Sequence, residues 1–298
     1  MFDIVSKRRW YFLISGCIIG AGLVAMIYST VTFGTPVRLS IDFTGGALLE
    51  LRFDRVVQPA EVREVFVERG FTDTAVQTTA DGKTALIRSK PLKPEVKEEI
   101  EAELKEKLGP LEELRFESAG PTIGHEVTRA AAAATVTTAV VILGFIVLAF
   151  HRVPKALRYG TCATAALIHD ILVAMGFFSI MGIFRGWEVD ALFLTAILTV
   201  LGFSVGDTIV VFDRIRENIP KHRREPFETV VNRSILETIH RSFATQLNAM
   251  FVMIAILLFG GSTVKQFVAT MLVGMLSGTY SSIFTAVPLL VVWESGRI

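Results

Sequence analysis

The chain has 298 residues, of which 51% are hydrophobic, and its mean hydropathy of +0.52 is too high for an ordinary soluble domain. The formal net charge is only +1, and nucleic acid is not expected as a partner. Cys17 and Cys162 lie inside apolar runs, which favours small buried side chains over a disulfide. The histidines form no metal-ligand cluster, and GKT (82–84) lacks the earlier glycine of a phosphate-binding loop. No metal or other cofactor is therefore expected.

Six stretches are apolar over the roughly 20 residues that a helix needs to cross a bilayer. They lie at 10–32, 130–150, 161–184, 191–212, 243–260 and 267–292. The first follows a basic segment, as in a secretory signal, but it is too long and lacks a small-residue cleavage site. We therefore predict a retained first helix and a polytopic α-helical membrane protein with six transmembrane helices.

Lys and Arg residues are unevenly distributed between the segments that connect these helices. They are concentrated in 1–9, 151–160, 213–242 and 293–298, whereas 185–190 and 261–266 hold only Arg185 and Lys265. Because cytoplasmic segments carry the excess of basic residues, both termini are predicted to be cytoplasmic. The predicted organisation is the first helix within 1–33, an extracytoplasmic domain at 34–127, and a five-helix bundle at 128–298 with a cytoplasmic loop at 213–242.

Residues 34–127 have the patterning of a soluble domain. The predicted elements are a strand at 48–53, a helix at 59–70, two strands within 75–89, a helix at 94–109 and a strand at 111–118. The order β-α-β-β-α-β predicts an α+β ferredoxin-like domain between helices one and two. The domain contains no catalytic constellation, and its charges are interpreted as solvated faces.

The segment 226–240 repeats apolar residues at near-helical spacing within the predicted loop. This pattern predicts an amphipathic helix on the inner membrane surface. A short connector packed on the bundle is the alternative.

Asp207 is an ionisable residue inside the fourth apolar stretch, where an unpaired charge is costly. It lies about 9 Å before the predicted helix exit at Asp213, at 1.5 Å per residue. Arg241, at the start of the fifth helix, is the candidate cationic partner. A carboxylate held between desolvation and a nearby cation can gain and lose a proton, so both residues are proton-relay candidates. A static ion pair that orients the helices is the alternative.

Asp170, which follows His169 in the third helix, is a second candidate carboxylate. A locked hydrogen bond between these two residues is the alternative to a transport role. The polar residues that could support a relay in the same interior are His169, Ser204, Thr208, Gln246 and Asn248. Asp213 and Arg214 are most simply interfacial charges.

Small residues at a spacing of four indicate close helix packing. Gly202 and Gly206 form one such pair in the fourth helix, and Gly274 and Gly278 form another in the sixth. The alternative is that these glycines reflect only the high frequency of glycine in membrane helices.

Five motifs together resemble the SecD/SecF family of protein-export membrane proteins, and its SecF branch in particular, over essentially the whole chain. They are DFTGG (42–46), GPTIGHEV (120–127), the His169-Asp170 pair, VGDTIVVFDRIREN (205–218) and GTYSSIFTAVPL (278–289). The DxIVVxDRIREN form is highly specific, and DFTGG alone is weaker. The family positions outside the relay are Asp42, Phe43, Gly45, Gly46, Gly120, Pro121, Gly124, Asp213 and Arg214.

This resemblance implies one half of an RND-superfamily transporter, with SecD as the other half, in a bacterial or archaeal inner membrane. It implies that the proton motive force assists an unfolded preprotein through the Sec channel and releases it at the outer face. The family's membrane aspartate and the arginine that opens the fifth helix correspond to Asp207 and Arg241. One departure is SFATQLNAMF (242–251), which has fewer hydroxyls than the family's Ser/Thr-dense stretch and carries Gln246 and Asn248.

Three other functions are compatible with parts of the pattern. An RND-type exporter of lipids or small hydrophobic molecules would use the same aspartate, but the small outer domain and the half-size bundle argue against a stand-alone pump. An intramembrane aspartyl protease would use Gly206-Asp207 and Asp170, but the first glycine of its motif is missing and Arg241 is unexplained. No enzymatic activity is therefore expected. A structural scaffold for SecD remains the main rival.

Overall fold

The structure is a computed structural model that describes residues 3–79, 81–150 and 156–296. The chain divides into two compact units, one formed by Met1–Arg38 with Ala133–Ile298 and the other by Leu39–Ala132. The predicted cytoplasmic segment 151–160 lies partly outside the described residues.

The elements of the described residues follow one another in a simple order. They are a 3₁₀ turn (Val5–Lys7), α1 (Arg8–Phe33), α2 (Ile41–Thr44), β1 (Gly46–Phe53), α3 (Pro59–Glu68), β2 (Ala75–Thr78), β3 (Thr84–Ser89), α4 (Pro94–Leu108), β4 (Leu111–Ala119), α5 (Pro121–Ala149), α6 (Ala156–Arg185), α7 (Ala191–Lys221), α8 (Phe227–Phe259), α9 (Ser262–Ser281), a π-helical turn (Ser282–Ala286) and α10 (Val287–Ser295).

Six helical spans within the described residues are long and apolar enough to cross a membrane. They are Val5–Phe33, Gly124–Ala149, Leu157–Arg185, Ala191–Lys221, Phe227–Phe259 and Val264–Glu294. The chain is therefore a multi-pass membrane protein, as the hydropathy pattern predicted. The buried share of an apolar 18-residue stretch differs between the spans, from 11% in Gly124–Ala149 to 67% in Val264–Glu294.

The unit Leu39–Ala132 contains a small antiparallel sheet with the order β2-β3-β1-β4. Helix α3 begins with a capping box in which Gln58 and Glu61 satisfy each other's backbone amides. Helix α4 buries Ile100, Leu104 and Leu108 along one face and ends at Gly109, which adopts a positive φ of 96°. These apolar faces pack with the inner face of the sheet into one hydrophobic core.

The glycines of DFTGG and GPTIGHEV meet inside this unit. Asp42 and Phe43 lie in α2, and Gly45 and Gly46 then turn the chain into β1 with φ of 70° and 125°. A Cβ atom on Gly124 of α5 would lie 2.8 Å from both the Gly45 nitrogen and the Phe43 oxygen. Glycine is therefore required at position 124 by the close approach of the backbone. The side chain of Pro121 lies outside the described residues.

We expect Gly124→Ala to destabilise this unit by about 1–3 kcal/mol, because the new methyl group overlaps backbone atoms that cannot rotate away. Amide hydrogen exchange of the full chain measures the effect, and β1 should exchange faster. Gly120→Ala is the matched control, since a Cβ atom there meets nothing within 4 Å. Equal exchange of β1 in the two variants would contradict the expectation.

In the helical unit, glycines bring two pairs of helices close together. A Cβ atom on Gly176 of α6 would lie 2.7 Å from the Cα atom of Gly22 in α1. On α9, a Cβ atom on Gly274 would lie 2.5 Å from Val200 of α7, and one on Gly278 would lie 3.0 Å from the Ser204 Cβ. Small residues thus allow α1 to pack on α6, and α9 to pack on α7.

The segment 213–242, predicted as a loop, is mostly helical. Helix α7 continues to Lys221 and α8 begins at Phe227, so only residues 222–226 connect them. Helix α8 also runs without a break through 227–240, nearly all of the segment 226–240 that was predicted to lie on the membrane surface. It buries Val230, Val231 and Ile235, which is the outcome expected for a connector packed on the bundle.

Candidate functional site

Asp207 lies on the buried face of α7 and accepts a hydrogen bond from α8. The donor is Gln246 Nε2, which lies 2.6 Å from Asp207 Oδ2. The relative exposures of the two residues are 9% and 2%. Within the described residues, Ser242 Oγ of α8 lies near the same carboxylate without a well-formed hydrogen bond, so the negative charge is compensated by neutral groups.

Arg241 forms no ion pair with Asp207 in the described part of the chain, and its side chain is exposed. The reason lies in the helical repeat of α8. Arg241 precedes Gln246 by five residues, which places the two side chains about 140° apart around the helix. Asn248 follows Gln246 by two residues and is also exposed. The structure therefore brings Gln246 to Asp207 and leaves Arg241 and Asn248 on another face.

Asp170, on α6, is fully buried and accepts hydrogen bonds at both carboxylate oxygens. Oδ1 accepts from His169 Nδ1 at 3.1 Å and from Ser277 Oγ at 2.7 Å. Oδ2 accepts from Ser204 Oγ at 2.6 Å and from Ser281 Oγ at 2.8 Å. An ionised carboxylate only accepts hydrogen bonds, and four donors fill its acceptor sites. The arrangement favours a locked hydrogen-bond network over a carboxylate that exchanges protons.

The network around Asp170 extends to the first helix. His169 Nε2 lies 3.1 Å from Ser15 Oγ of α1, and Ser15 Oγ lies 3.4 Å from Thr285 Oγ1 in the π-helical turn. Tyr280 stacks on the His169 ring and donates a hydrogen bond to the Tyr11 carbonyl. These contacts tie α1 to α6 and to the last span.

Ser204 and Thr208 connect this network to the helix that carries Asp207. Thr208 Oγ1 lies 3.0 Å from Ser282 Oγ, and Ser282 Oγ donates to the Ser204 carbonyl at 3.1 Å. Ser282 begins the π-helical turn, and such turns occur frequently at functional sites. The polar interior of the bundle is therefore continuous from α1 to α7.

One face of α8 presents polar side chains that the described chain does not cover. Arg241, Thr245 and Asn248 are exposed at spacings of four and three, which places them on one side of the helix. Gly202 and Gly206 are also exposed on α7, where a Cβ atom would meet nothing within 4 Å. The close packing predicted at these two glycines is not made within the described chain, because they face outward.

Asp213 and Arg214 lie near the end of α7, away from Asp207. Asp213 pairs with Arg216 at 2.6 Å, and Arg214 pairs with Glu217 at 2.8 Å and with Glu237 of α8 at 2.6 Å. The first two pairs lie within α7, and the Arg214–Glu237 pair joins α7 to α8 in the segment that was predicted as a loop.

Several site residues were not predicted from the sequence, and they are mostly serines. Ser15, Ser277, Ser281, Ser282 and Ser242 are all buried among the helices. Ser277 and Ser281 are four residues apart in the last span, and this spacing is a signal that the sequence contains. Ser15 and Ser242 carry no comparable pattern.

Comparison with protein-family models places the chain in one family. Residues 99–296 match the model "Protein export membrane protein SecD/SecF, C-terminal", and residues 30–55 match the "SecD/SecF GG Motif". The second match covers the Gly45-Gly46 turn described above. These matches concern a translocase subunit family and not a recognised enzyme family.

Curated relatives extend over the whole chain. The protein translocase subunit SecF of Anaerolinea thermophila is 46% identical over 100% of this chain and 96% of its own length. The protein translocase subunit SecF of Thermobaculum terrenum is 43% identical over 99% of this chain and 95% of its own length.

Solved structures support the same relationship. The crystal structure of SecDF from Thermus thermophilus, a translocon-associated membrane protein, superposes with a TM-score of 0.79 at 31% identity over 99% of this chain. A second SecDF structure, in a super-membrane-facing form, superposes with a TM-score of 0.68 at 30% identity over 99% of this chain. The chain spans only 39% of the length of each SecDF chain. The full-length relatives and both family models agree that this chain belongs to the SecF family of protein translocase subunits.

Proposed function

We propose that this chain pairs with a SecD chain and uses the proton motive force to assist preprotein translocation through the Sec channel. Asp207 is the carboxylate that takes up and releases the proton, and release of the unfolded preprotein occurs at the outer face of the membrane. Both chain termini lie in the cytoplasm, in agreement with the distribution of Lys and Arg. The protein resides in the bacterial or archaeal inner membrane.

The observation that carries this proposal is that the two buried carboxylates accept different numbers of hydrogen bonds. Asp170 accepts four hydrogen bonds, whereas Asp207 accepts one, from Gln246. A buried carboxylate whose charge is poorly compensated is stabilised when it binds a proton. Asp207 can therefore change its protonation state during a transport cycle, while Asp170 holds the helices in place.

The partner is inferred from the uncovered polar face. Arg241, Thr245 and Asn248 lie in a span that crosses the membrane, where contact with lipid is costly for polar groups. A SecD chain on this face would cover them, and it would bring its own aspartate to Arg241. The exposed Gly202 and Gly206 allow its helices to approach α7 closely. The similarity to SecDF, whose chain is longer than this one, supports this assignment.

The unit Leu39–Ala132 is assigned as the ferredoxin-like extracytoplasmic domain, corresponding to the predicted segment 34–127. Its element order β-α-β-β-α-β and its sheet order β2-β3-β1-β4 support this fold. In the proposal this domain holds the emerging preprotein, and proton passage through the bundle drives its movement.

The test is secretion of a reporter preprotein in cells that carry Asp207→Asn, with and without a proton ionophore. Asparagine keeps the shape of the side chain but cannot bind and release a proton. We expect the ionophore-sensitive part of secretion to be lost while membrane abundance and SecD association stay normal. Asp213→Asn, which removes an exposed carboxylate from the same helix, is the matched control and should secrete normally.

Unchanged secretion by Asp207→Asn, at normal abundance and SecD association, would refute the proton-coupling role. The chain would then be a structural scaffold for SecD. A defect equal in Asp207→Asn and Asp213→Asn would also refute it, since the loss would not be specific to the buried site.

A further inference from the structure

Two buried oxygen atoms near Asp207 have no hydrogen-bond partner among the described residues. They are Ser242 Oγ and Gln246 Oε1, in residues that are each 2% exposed. In folded proteins about 90% or more of buried polar atoms have a partner, either protein or ordered water. Two such atoms, four residues apart on the α8 face that meets Asp207, therefore point to a bound ligand.

The hydroxyl of Ser242 behaves differently from its neighbours on α8. Thr238 Oγ1 and Thr245 Oγ1 each donate to the carbonyl four residues earlier, at 2.9 Å. Such bonds satisfy a hydroxyl inside its own helix. Ser242 makes none, so its hydroxyl remains available to Asp207, which lies near it, and to a bound group in the bundle interior.

The amide of Gln246 has its orientation fixed by Asp207. Nε2 donates to the Asp207 carboxylate, and the reverse orientation would place two acceptors against each other. Oε1 is therefore an acceptor without a donor, and it shares its amide carbon with the nitrogen that contacts Asp207. The Gln246 bond is made to Asp207 Oδ2, and the Ser242 hydroxyl lies near the same carboxylate.

We infer that Asp207 Oδ1, Ser242 Oγ and Gln246 Oε1 bind one water molecule, which delivers the proton to Asp207 as hydronium. Three acceptor oxygens match the three O–H groups of hydronium, and its positive charge complements the carboxylate. Neutral water is also satisfied there, because it accepts from Ser242 and donates to the other two groups. This inference rests on the proposed function, since it names the immediate proton donor.

The proton transfer needs no reactant other than the bound hydronium and Asp207. One O–H bond of hydronium breaks, an O–H bond to Asp207 Oδ1 forms, and the water that remains stays with the same three groups. Ser242 and Gln246 act as positioning residues, because they hold the donor and do not themselves change protonation state. Arg241 is not needed for this step, as its side chain lies on another face of α8.

The test compares Ser242→Thr with Ser242→Val in the complex with SecD. Threonine and valine have nearly the same shape, but only threonine keeps the hydroxyl oxygen. We expect valine to reduce the ionophore-sensitive secretion of a reporter by about tenfold, the effect of losing one charge-assisted hydrogen bond, and threonine to retain it. Equal secretion by the two variants would overturn the inference.

A density map of the purified complex provides an independent test, even if the valine variant fails to accumulate. We expect a solvent peak at hydrogen-bond distance, about 2.7–3.0 Å, from all three oxygens. If a map that resolves ordered water elsewhere in the bundle shows no peak there, this inference is wrong. The proposed function would then still be decided by the Asp207→Asn experiment. A peak together with unaffected secretion by Asp207→Asn would remove the proposed function and the proton-carrying role.

Discussion

Replacing Asp170 by alanine is expected to lower the free energy of unfolding of the helical unit by about 3–5 kcal/mol, because it removes the common acceptor of a buried network. The donors left behind, His169, Ser204, Ser277 and Ser281, are all buried and come from three helices. Some hydroxyls can turn to a carbonyl of their own helix, as Ser281 already does towards Gly278. The His169 imidazole has no such carbonyl partner among the described residues, so the loss of unfolding free energy should remain large.

Thermal unfolding of the purified full chain in detergent measures this loss. The matched control is Asp213→Ala, which removes a carboxylate of α7 that is 44% exposed and pairs with Arg216. An exposed pair of this kind contributes about 1 kcal/mol or less. Similar unfolding midpoints for Asp170→Ala and Asp213→Ala would contradict the view that Asp170 holds the bundle together.

Gly176→Leu is expected to separate α1 from α6 and to lower the free energy of unfolding by about 3 kcal/mol. Even a single Cβ atom at this position would lie 2.7 Å from the Gly22 Cα atom. The obstacle is backbone, so no change of rotamer can relieve the overlap. The two helices must move apart, and the Ser15–His169 hydrogen bond that joins them at 3.1 Å should break as well.

Gly20→Leu is the matched control for this variant. Gly20 lies in the same helix as Gly22, but a Cβ atom there meets nothing within 4 Å. We expect its unfolding midpoint and its abundance in membranes to match those of the unmodified chain. If Gly20→Leu and Gly176→Leu lose stability equally, the effect comes from leucine in a membrane helix and not from the contact between α1 and α6.

The membrane spans were predictable because twenty or so apolar residues leave few alternatives to a helix in lipid. Their ends were not. The segment 213–242 is rich in charged residues and contains Pro220, so it reads as a loop, yet α7 and α8 continue through most of it. Ion pairs such as Arg214–Glu237 and the buried Val231 stabilise these extensions. Such contacts join residues that are distant in sequence, and hydropathy does not report them.

Asp207 could be identified from the sequence because a carboxylate is conspicuous in an apolar helix. Its partner was harder to choose. Arg241 has the attractive charge, but the rotation of α8 directs Gln246 towards Asp207 instead. A serine such as Ser277 is ordinary in a membrane helix, and its role becomes visible only when the helices are packed around Asp170.

The packing of α1 on α6 has a consequence for biosynthesis. A ribosome makes α1 first and α6 only after the sheet-containing unit and α5, and Ser15 and His169 are separated by 154 positions. Helix α5, the next span to be made, is buried over only 11% of its apolar 18-residue stretch. During synthesis α1 is therefore in the bilayer before α6, and its Gly22 surface stays uncovered until this third span is inserted.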